Sequence, residues 1–222
     1  RDWSSDVCSS DLDHIDRLVM GTNDPEVLSS IAKHKNLEPH HIDKLMRNDD
    51  PEVRRGLSHS KYLKPRHIDG LVKDTHPSVR INMAYYKDLE PEHIEALVKD
   101  TDPVVRECIA RHKSLKPEHI EKLLGDDNKA VQMSAAANHN ITPTQIENIF
   151  KSNDRNKLTG LAQNPSLKDD HIERLLNHDS PRVREKLAES GNLTKKQLQH
   201  MADNDEDENV RAAAEYSLAY RL

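Results

Sequence analysis

The sequence is poor in cysteine, and this limits the chemistry open to it. Cys8 and Cys108 are the 2 cysteines among 222 residues. Cys8 falls in a segment that we expect to be foreign to the native chain, and one remaining thiol cannot form an intrachain disulfide or hold a cysteine-ligated cluster. Cys108 lies in a repeating column of mostly small residues, so we expect a buried, inert thiol.

Aromatic residues and excess positive charge are also scarce. Aromatics make up 3% of the chain, and the formal net charge is −6. Proteins that bind single-stranded nucleic acid stack bases on aromatic rings, and phosphate binding draws on clustered lysine and arginine. This composition therefore disfavours nucleic acid as a partner.

Long apolar runs and recognisable catalytic motifs are missing as well. No apolar stretch approaches the roughly 20 residues that span a bilayer. No glycine-rich phosphate loop, zinc-ligand spacing or nucleophile elbow is present. The acidic stretch 203–208 opens like a calcium loop, but Glu208 and Ala214 stand where a glycine and a bidentate glutamate are needed. We expect a cytoplasmic, monomeric, non-enzymatic protein that holds no metal and no cofactor.

The first twelve residues, RDWSSDVCSSDL, do not share the pattern of the rest. They resemble the conceptual translation of a sequencing-library adapter, and a native disordered tail is the alternative interpretation. We predict that 1–12 is a non-native tail, that 13–222 is a single repeat domain, and that the true N-terminus is missing.

What the sequence does contain is one unit repeated along its whole length. The stretch HIEALVKDTDPVVRECIARHKSLKPE, 93–118, recurs with a period of 26 residues, apart from one 27-residue step at the start. The residues that head the eight copies are His14, His41, His67, His93, His119, Gln145, His171 and Gln197. Self-similarity at such a period predicts a solenoid.

Each unit carries two short apolar patterns with helical spacing. Ile94, Leu97 and Val98 form a stripe in the first, and Val105, Ile109 and Ala110 form one in the second. Proline opens both segments, as is typical of the first position of a helix. Helices of about nine residues do not persist alone in water, so we expect stability to come from stacking on neighbouring units.

The Asp-Pro-x-Val-Arg helix start, the alanine five residues after the valine and the Leu-x-Pro turn resemble the variant leucine-rich repeats of bacterial proteins. More distantly they resemble HEAT repeats. The resemblance covers 14–222 and implies an all-α, right-handed, armadillo/HEAT-like α-solenoid of eight two-helix repeats. The repeat is slightly longer than is usual in that family. An iron–sulfur module, which some members carry at the N-terminus, is not found.

Two columns of the repeat could bear chemistry. The histidine column suggests metal ligation, but the Thr-x-x-Gln sequences at the two glutamine copies indicate a helix capping box, and we expect histidine to cap in the same way. The second column is Arg54, Arg80, Arg106, Arg184 and Arg211. It suggests a phosphate-binding stripe or, as we prefer, an internal ladder bonded to helix-opening aspartates such as Asp50 and Asp102. An acidic column on the first helices also weakens the phosphate interpretation.

We therefore predict a protein-interaction scaffold with an unknown protein partner. Its alternatives are a nucleic-acid binder similar to HEAT-like DNA glycosylases and an enzyme or accessory protein similar to HEAT-like lyases. The fifth and sixth units break the pattern together, since the helix-opening proline and the ladder arginine are both replaced there. A binding surface grafted on repeats must break the repeat where it makes contact. The residues that we predict to contact the partner are Lys129, Gln132, Met133, Phe150, Arg155 and Leu158.

Overall fold

A computed structural model describes residues 9–34, 37–60 and 62–220, and within these ranges it forms sixteen α-helices and no β-strand. The expectation for Cys8, and that for most of the segment 1–12, fall on residues 1–8, which lie outside the described residues. Odd-numbered helices are the first of each repeat, and even-numbered helices are the second. No described helix is long and apolar enough to cross a membrane.

The chain divides into two compact units, Arg1–Val105 and Arg106–Leu222. The helices of the first unit are α1 (Ser9–Gly21), α2 (Pro25–Ala32), α3 (Pro39–Leu45), α4 (Pro51–Gly56), α5 (Pro65–Val72), α6 (Pro77–Met83) and α7 (Pro91–Val98). The division falls inside α8 (Pro103–Ile109). The second unit continues with α9 (Pro117–Leu124), α10 (Lys129–Ala136), α11 (Pro143–Ser152), α12 (Arg155–Leu161), α13 (Asp169–Leu176), α14 (Pro181–Ala188), α15 (Lys195–Asn204) and α16 (Glu208–Tyr220).

Helix starts follow the local signals in the sequence. Proline occupies the first turn of most helices, where its missing N–H costs nothing. At α2 and α4 the preceding Asp24 and Asp50 accept a hydrogen bond from the backbone N–H two residues on. At α10 and α12 the proline is absent, but Asn128 and Asp154 still cap the helix. The loss of proline therefore leaves the helix start in place.

The predicted apolar stripes form the core of a solenoid of two-helix repeats. Ile94, Leu97 and Val98 of a first helix are buried, as are Val105 and its counterparts Val53, Val79, Val131 and Val183 in the other second helices. In the first unit α1 packs on α3 and α2 on α4, and in the second α10 packs on α12 and α14 on α16. Second helices thus stack on second helices in both units, and first helices stack on first helices in the first unit, so each repeat is stabilised by its neighbours.

The column of small residues marks where second helices approach each other. A Cβ atom on Gly160 would lie 2.0 Å from the backbone oxygen of Met133, which fixes glycine at this crossing of α10 and α12. Cys108 belongs to the same column and is buried, as predicted.

Two first helices of the second unit are longer than the other first helices of that unit. Helices α11 and α15 each have 10 residues. Helix α11 ends at Asn153, whose φ of 51° is the single positive value outside glycine in the described residues. Asparagine tolerates this left-handed conformation, which terminates the helix. The irregularity falls between the two repeats that break the sequence pattern.

Candidate interaction surface

The six residues predicted to contact a partner all lie in the second unit, but one of them, Leu158, is not at the surface. Lys129 and Arg155 are exposed at the first positions of α10 and α12. Gln132 and Met133 are half-buried, whereas Leu158 is 0% exposed. Leu158 therefore belongs to the core, because an aliphatic side chain at the ladder position fills the space that an arginine crosses elsewhere.

Phe150 lies in a cluster of stacked groups at the end of α11. It is half-buried, and the guanidinium carbon of Arg174 sits 3.6 Å from its ring centroid. The His171 ring stacks on it, with centroids 5.7 Å apart. Arg174 also donates hydrogen bonds to both carboxylate oxygens of Glu147, at 2.9 and 3.1 Å. This cluster holds an aromatic ring and a cation in fixed orientation beside solvent.

The ladder arginines point into the structure and clamp two repeats together. Arg54 donates from Nε and Nη2 to the carboxylate of Asp74 at 2.6 and 2.9 Å. Its Nη1 donates to the backbone oxygen of Asn48 at 2.6 Å. The same bidentate geometry joins Arg80 to Asp100, Arg106 to Asp126 and Arg184 to Asp205. Arg211, in the last repeat, donates to the backbone oxygens of Asp205 and Glu206.

The aspartate partners differ from those predicted. Asp50 accepts from Glu52 N–H, and Asp102 accepts from Val104 N–H, so both act as helix caps. The bonded carboxylate lies two residues before the cap of the next repeat, where the turn also aims a backbone N–H at it, as His76 N–H donates to Asp74 at 2.8 Å. A carboxylate there receives three donors, as Asp74 does from Arg54 and from His76 N–H.

These contacts shift the carboxyl pKa values downward. For Asp126 the bonds from Arg106 are the main cause of a lowered pKa. Burial alone would raise the pKa of Asp74, but hydrogen bonds from Arg54 and from His76 N–H bring it below its usual value. The Asp74 and Asp126 carboxylates are therefore held in their ionised form by their arginines.

The sequence carried a signal for this pairing, because ladder arginine and carboxylate change together. Where Gln132 replaces the arginine, the position of the carboxylate holds Ser152, and where Leu158 replaces it, that position holds His178. Gln132 keeps the backbone contact, donating to the Asp126 oxygen at 2.6 Å. A buried carboxylate without a guanidinium would be costly, so both members of the pair are lost together.

The histidine column caps helices at five of its six positions, as predicted, and also links consecutive repeats. His14 is the exception, because it lies inside α1, which begins at Ser9. His93 Nδ1 accepts from Glu90 N–H at 3.1 Å, and Nε2 contacts Asp69 Oδ1 at 2.7 Å. The same Nδ1 bond is made by His41, His67, His119 and His171. The acidic column of the first helices thus supplies carboxylates to these histidines.

Glutamine reproduces both of these bonds in the second unit. Gln145 Oε1 accepts from Thr142 N–H at 3.0 Å, and its Nε2 donates to Glu121 at 3.0 Å.

The capping bonds also fix the tautomer of the column histidines. In the neutral imidazole one nitrogen accepts and the other donates. Because Nδ1 accepts a backbone N–H, the Nε2 atom carries the proton and has no lone pair for a metal.

One cluster has the composition of a metal site. Asp16, His40 and His41 bring ligand atoms within 4.8 Å of one another. His41 Nδ1, however, accepts from Glu38 N–H at 3.1 Å, so its Nε2 must donate, and it contacts Asp16 at 3.3 Å. Two candidate ligands then remain, fewer than the three or four protein ligands of zinc sites. The cluster is an extension of the capping column.

An asparagine ladder in the second unit was missed by the sequence analysis. Asn138 Nδ2 donates to the backbone oxygens of Ala110 and His112, and Asn164 Nδ2 donates to those of Ala136 and Asn138. Both side chains are buried, and Asn192 Nδ2 makes the corresponding bonds from a position two residues later in the turn. The recurrence of asparagine 26 residues apart, at 138 and 164, was the signal in the sequence.

A tyrosine-lined groove in the first unit was also missed. It is bordered by Ser58, Asn82, Tyr85 and Tyr86 and has a volume of about 790 Å³. Tyr85 is 60% exposed. The signal here was the concentration of 3 of the 5 tyrosines within 62–86.

The acidic stretch Asp203–Glu208 acts as a turn rather than as an ion loop. The Asp205 carboxylate accepts from Arg184, and Asp207 Oδ1 accepts from Asn209 N–H at 2.9 Å at the start of α16. Both carboxylates are thereby engaged in ladder and cap roles.

The fold is similar to that of a solved structure described as a leucine-rich repeat variant with a novel repetitive protein structural motif. The TM-score is 0.58 with 21% sequence identity, over 95% of this chain and 83% of the other. No protein-family model and no curated protein matches the sequence of this chain. The structural similarity shows an α-solenoid of the leucine-rich repeat variant type.

Proposed function

We propose that the chain is a non-enzymatic protein-interaction scaffold. Its partner surface lies in the second unit, around Phe150, with Lys129 and Arg155 at the rim and with Gln132 and Met133 at half-buried positions. Leu158 supports this surface from the core. Repeat solenoids offer extended surfaces on which exposed positions vary freely, while the buried columns maintain the stack.

The observation that carries the proposal is the Phe150 cluster. The ring is the only phenylalanine of the chain, and it occupies a column of aliphatic side chains in which Val72, Val98 and Leu124 are buried and Met46 and Leu176 are half-buried. Instead of an aliphatic side chain, the repeat here holds a half-buried aromatic ring under the Arg174 guanidinium, 3.6 Å away. Aromatic rings and arginine are the residues enriched at the centres of protein interfaces.

The rim supports the same conclusion. Lys129 and Arg155 stand where prolines open the corresponding helices of other repeats. Neither cation is needed to start its helix, because Asn128 caps α10 and Asp154 caps α12. These two positions therefore carry long, exposed cations that the fold does not require. Such residues are typical of the polar rim of a protein interface. Charged rim residues mainly steer association and set specificity.

Nucleic-acid binding is the alternative that the structure supports less well. The arginines that could have formed a phosphate stripe are engaged in bidentate ion pairs, and side-chain exposure is 12% for Arg54 and 8% for Arg184. Their guanidinium groups face carboxylates of the same protein rather than solvent. We find no observation that favours a lyase activity.

Site-specific photocrosslinking would test the partner surface. We expect a crosslinker placed at Lys129 to capture a discrete protein, and Phe150→Ala or Arg174→Gln to abolish that product while leaving the circular dichroism spectrum unchanged. A crosslinker at Lys33, which is exposed in the first unit, is the matched control. Equal capture at both positions, or a nuclease-sensitive product at Lys129, would contradict the proposal.

A further inference from the structure

Three tyrosines stand at turn positions of the first unit where other repeats carry polar or small residues. Positions equivalent to Tyr62 hold Asn36, Asp88, Ser114, Asn140, Ser166 and Asn192. Positions equivalent to Tyr86 hold His34, Ser60, His112, Asn138, Asn164, Ser190 and Ser217. Tyr85 recurs as Tyr216 in the last repeat. The repeat therefore does not require these rings, and their concentration calls for a local reason.

Two of the rings, those of Tyr85 and Tyr86, border a groove of ligand size. Tyr85 is 60% exposed, Tyr86 is half-buried, and both line the groove of about 790 Å³ together with residues of the preceding turn. Tyr62 lies 53% exposed on that preceding turn, where its N–H donates to Ser60 Oγ at 3.3 Å. Pockets of roughly 300–1,000 Å³ lined by aromatic groups and a few fixed polar atoms are typical of ligand sites.

The polar groups of the groove are held in place. Asn82 Nδ2 donates to Ser58 Oγ at 3.2 Å, and Ser58 Oγ donates to the Arg55 backbone oxygen at 2.9 Å. An amide nitrogen has two hydrogens, so Asn82 can donate a second bond toward a ligand. Burial, with Asp88 nearby, raises the pKa of Tyr86, so its hydroxyl stays protonated at neutral pH.

The rim of the groove is electrically balanced. Lys87 Nζ lies 3.7 Å from an Asp88 carboxylate oxygen, and both side chains are mostly exposed. The charges cancel at the mouth of the groove, which gives no attraction for a polyanion or for an acidic peptide. The occupant should accordingly be a segment with little net charge.

We propose that this groove binds an extended, proline-containing peptide segment in the polyproline II conformation. Such segments dock on aromatic-lined grooves, since the proline rings pack against flat aromatic faces. Their carbonyl oxygens have no internal hydrogen bonds and need donors from the groove, a role that the Asn82 amide fills. The inference builds on the proposed protein-binding function but uses a different surface, in the first unit.

A binding experiment with the full chain tests this. The probe is a fluorescein-labelled decaproline peptide, compared with a Gly-Ser peptide of equal length, an oligoglutamate and a single-stranded DNA. We expect saturable binding of decaproline alone. Tyr85→Ala should weaken it at least about tenfold, as expected for an aromatic hot spot, while Tyr85→Phe keeps most of the affinity because it keeps the ring.

Tyr216→Ala is the matched control. Tyr216 has the same repeat position and nearly the same exposure, 59%, but is followed by Ser217 rather than by a second tyrosine. Its removal should leave decaproline affinity within about twofold. NMR shifts on the unmodified chain should be confined to 58–62 and 82–88.

Shifts elsewhere, equal binding of the Gly-Ser peptide, preference for the anionic probes, or absence of decaproline binding would each overturn the inference. None of these outcomes involves crosslinking at Lys129, so the two proposals fail independently.

Discussion

Both units link their repeats through arginine–carboxylate pairs, but they differ at the turns. In the first unit the ladder position holds Leu28 in the first repeat, whereas Arg54 and Arg80 are bonded to carboxylates of the following repeat. In the second unit the paired Arg106 and Arg184 are separated by two repeats in which Gln132 and Leu158 stand instead. The second unit compensates at the turns, where buried asparagines bond to backbone oxygens of the preceding repeat.

This difference shows that a solenoid repeat can exchange a charged link for a neutral one. A bidentate arginine–carboxylate pair is strong but must be kept whole, because a buried charge left without its partner is destabilising. An asparagine bonded to two carbonyl oxygens carries no such constraint. The asparagine ladder therefore accompanies the repeats in which the surface has diverged most.

Of the substitutions that test this comparison, Arg80→Ala is expected to cause the largest loss of stability. Arg80→Ala leaves the Asp100 carboxylate, 7% exposed, without its guanidinium, and should cost about 3 kcal/mol of unfolding free energy. The double variant Arg80→Leu/Asp100→His copies the natural pair of Leu158 and His178 and should recover part of that loss. Urea unfolding of the two single variants and the double variant measures the coupling. Additive losses would contradict the paired-loss interpretation.

A smaller difference in stability is expected between two glycine substitutions, one at the α10–α12 crossing of the second unit and one at the α2–α4 crossing of the first. Gly160→Ala forces a methyl group against the Met133 backbone oxygen and should cost about 2 kcal/mol even after the helix-propensity gain of alanine. Gly56→Ala places the new methyl group 2.8 Å from the Ala32 Cβ atom and 3.2 Å from the Ser29 backbone oxygen, contacts less close than that at Gly160, and should cost about 1 kcal/mol. Hydrogen exchange in α12 and α4 reports each change locally. Equal losses would mean that the crossings do not differ.

The smallest effect concerns pH. Burial, with the neighbouring His40 charge, lowers the pKa of His41 although Asp16 and Glu38 act in the opposite direction. A histidine with a lowered folded pKa stabilises the fold above its unfolded value of about 6.5, and this stabilisation is lost as pH falls through the folded value.

His41→Gln should therefore flatten the loss of exchange protection in α3 between about pH 7 and pH 5 while preserving both hydrogen bonds, as Gln145 does. His41→Ala is the control, because it should weaken α3 at every pH in this range. If the pH dependence of exchange protection were the same in His41→Gln as in the unchanged protein, protonation of His41 would not be its cause.

Much of the fold could be predicted because its signals are local or periodic. The helix starts, the buried stripes and the capping role of histidine follow from proline, from apolar spacing and from the equivalence of His93 with Gln145 in one column. The sequence did not show which aspartate binds each ladder arginine. Asp50 and Asp74 both lie near a helix start, and only the position of each turn relative to Arg54 distinguishes them. The burial of Leu158 was missed because every position that departs from the repeat pattern in the fifth and sixth units was assigned to the surface.

The sequence by itself determined that this protein is an α-solenoid, because a 26-residue period with two apolar stripes leaves no other way to bury those stripes. It also determined that histidine and glutamine are interchangeable at the helix cap. Only the tertiary structure decided which carboxylate faces each arginine, that asparagines link successive turns, and that Tyr85 and Tyr86 border a groove. Those contacts join residues about 20 to 30 positions apart, and their geometry depends on how one repeat is placed on the next, which no property of a single repeat specifies.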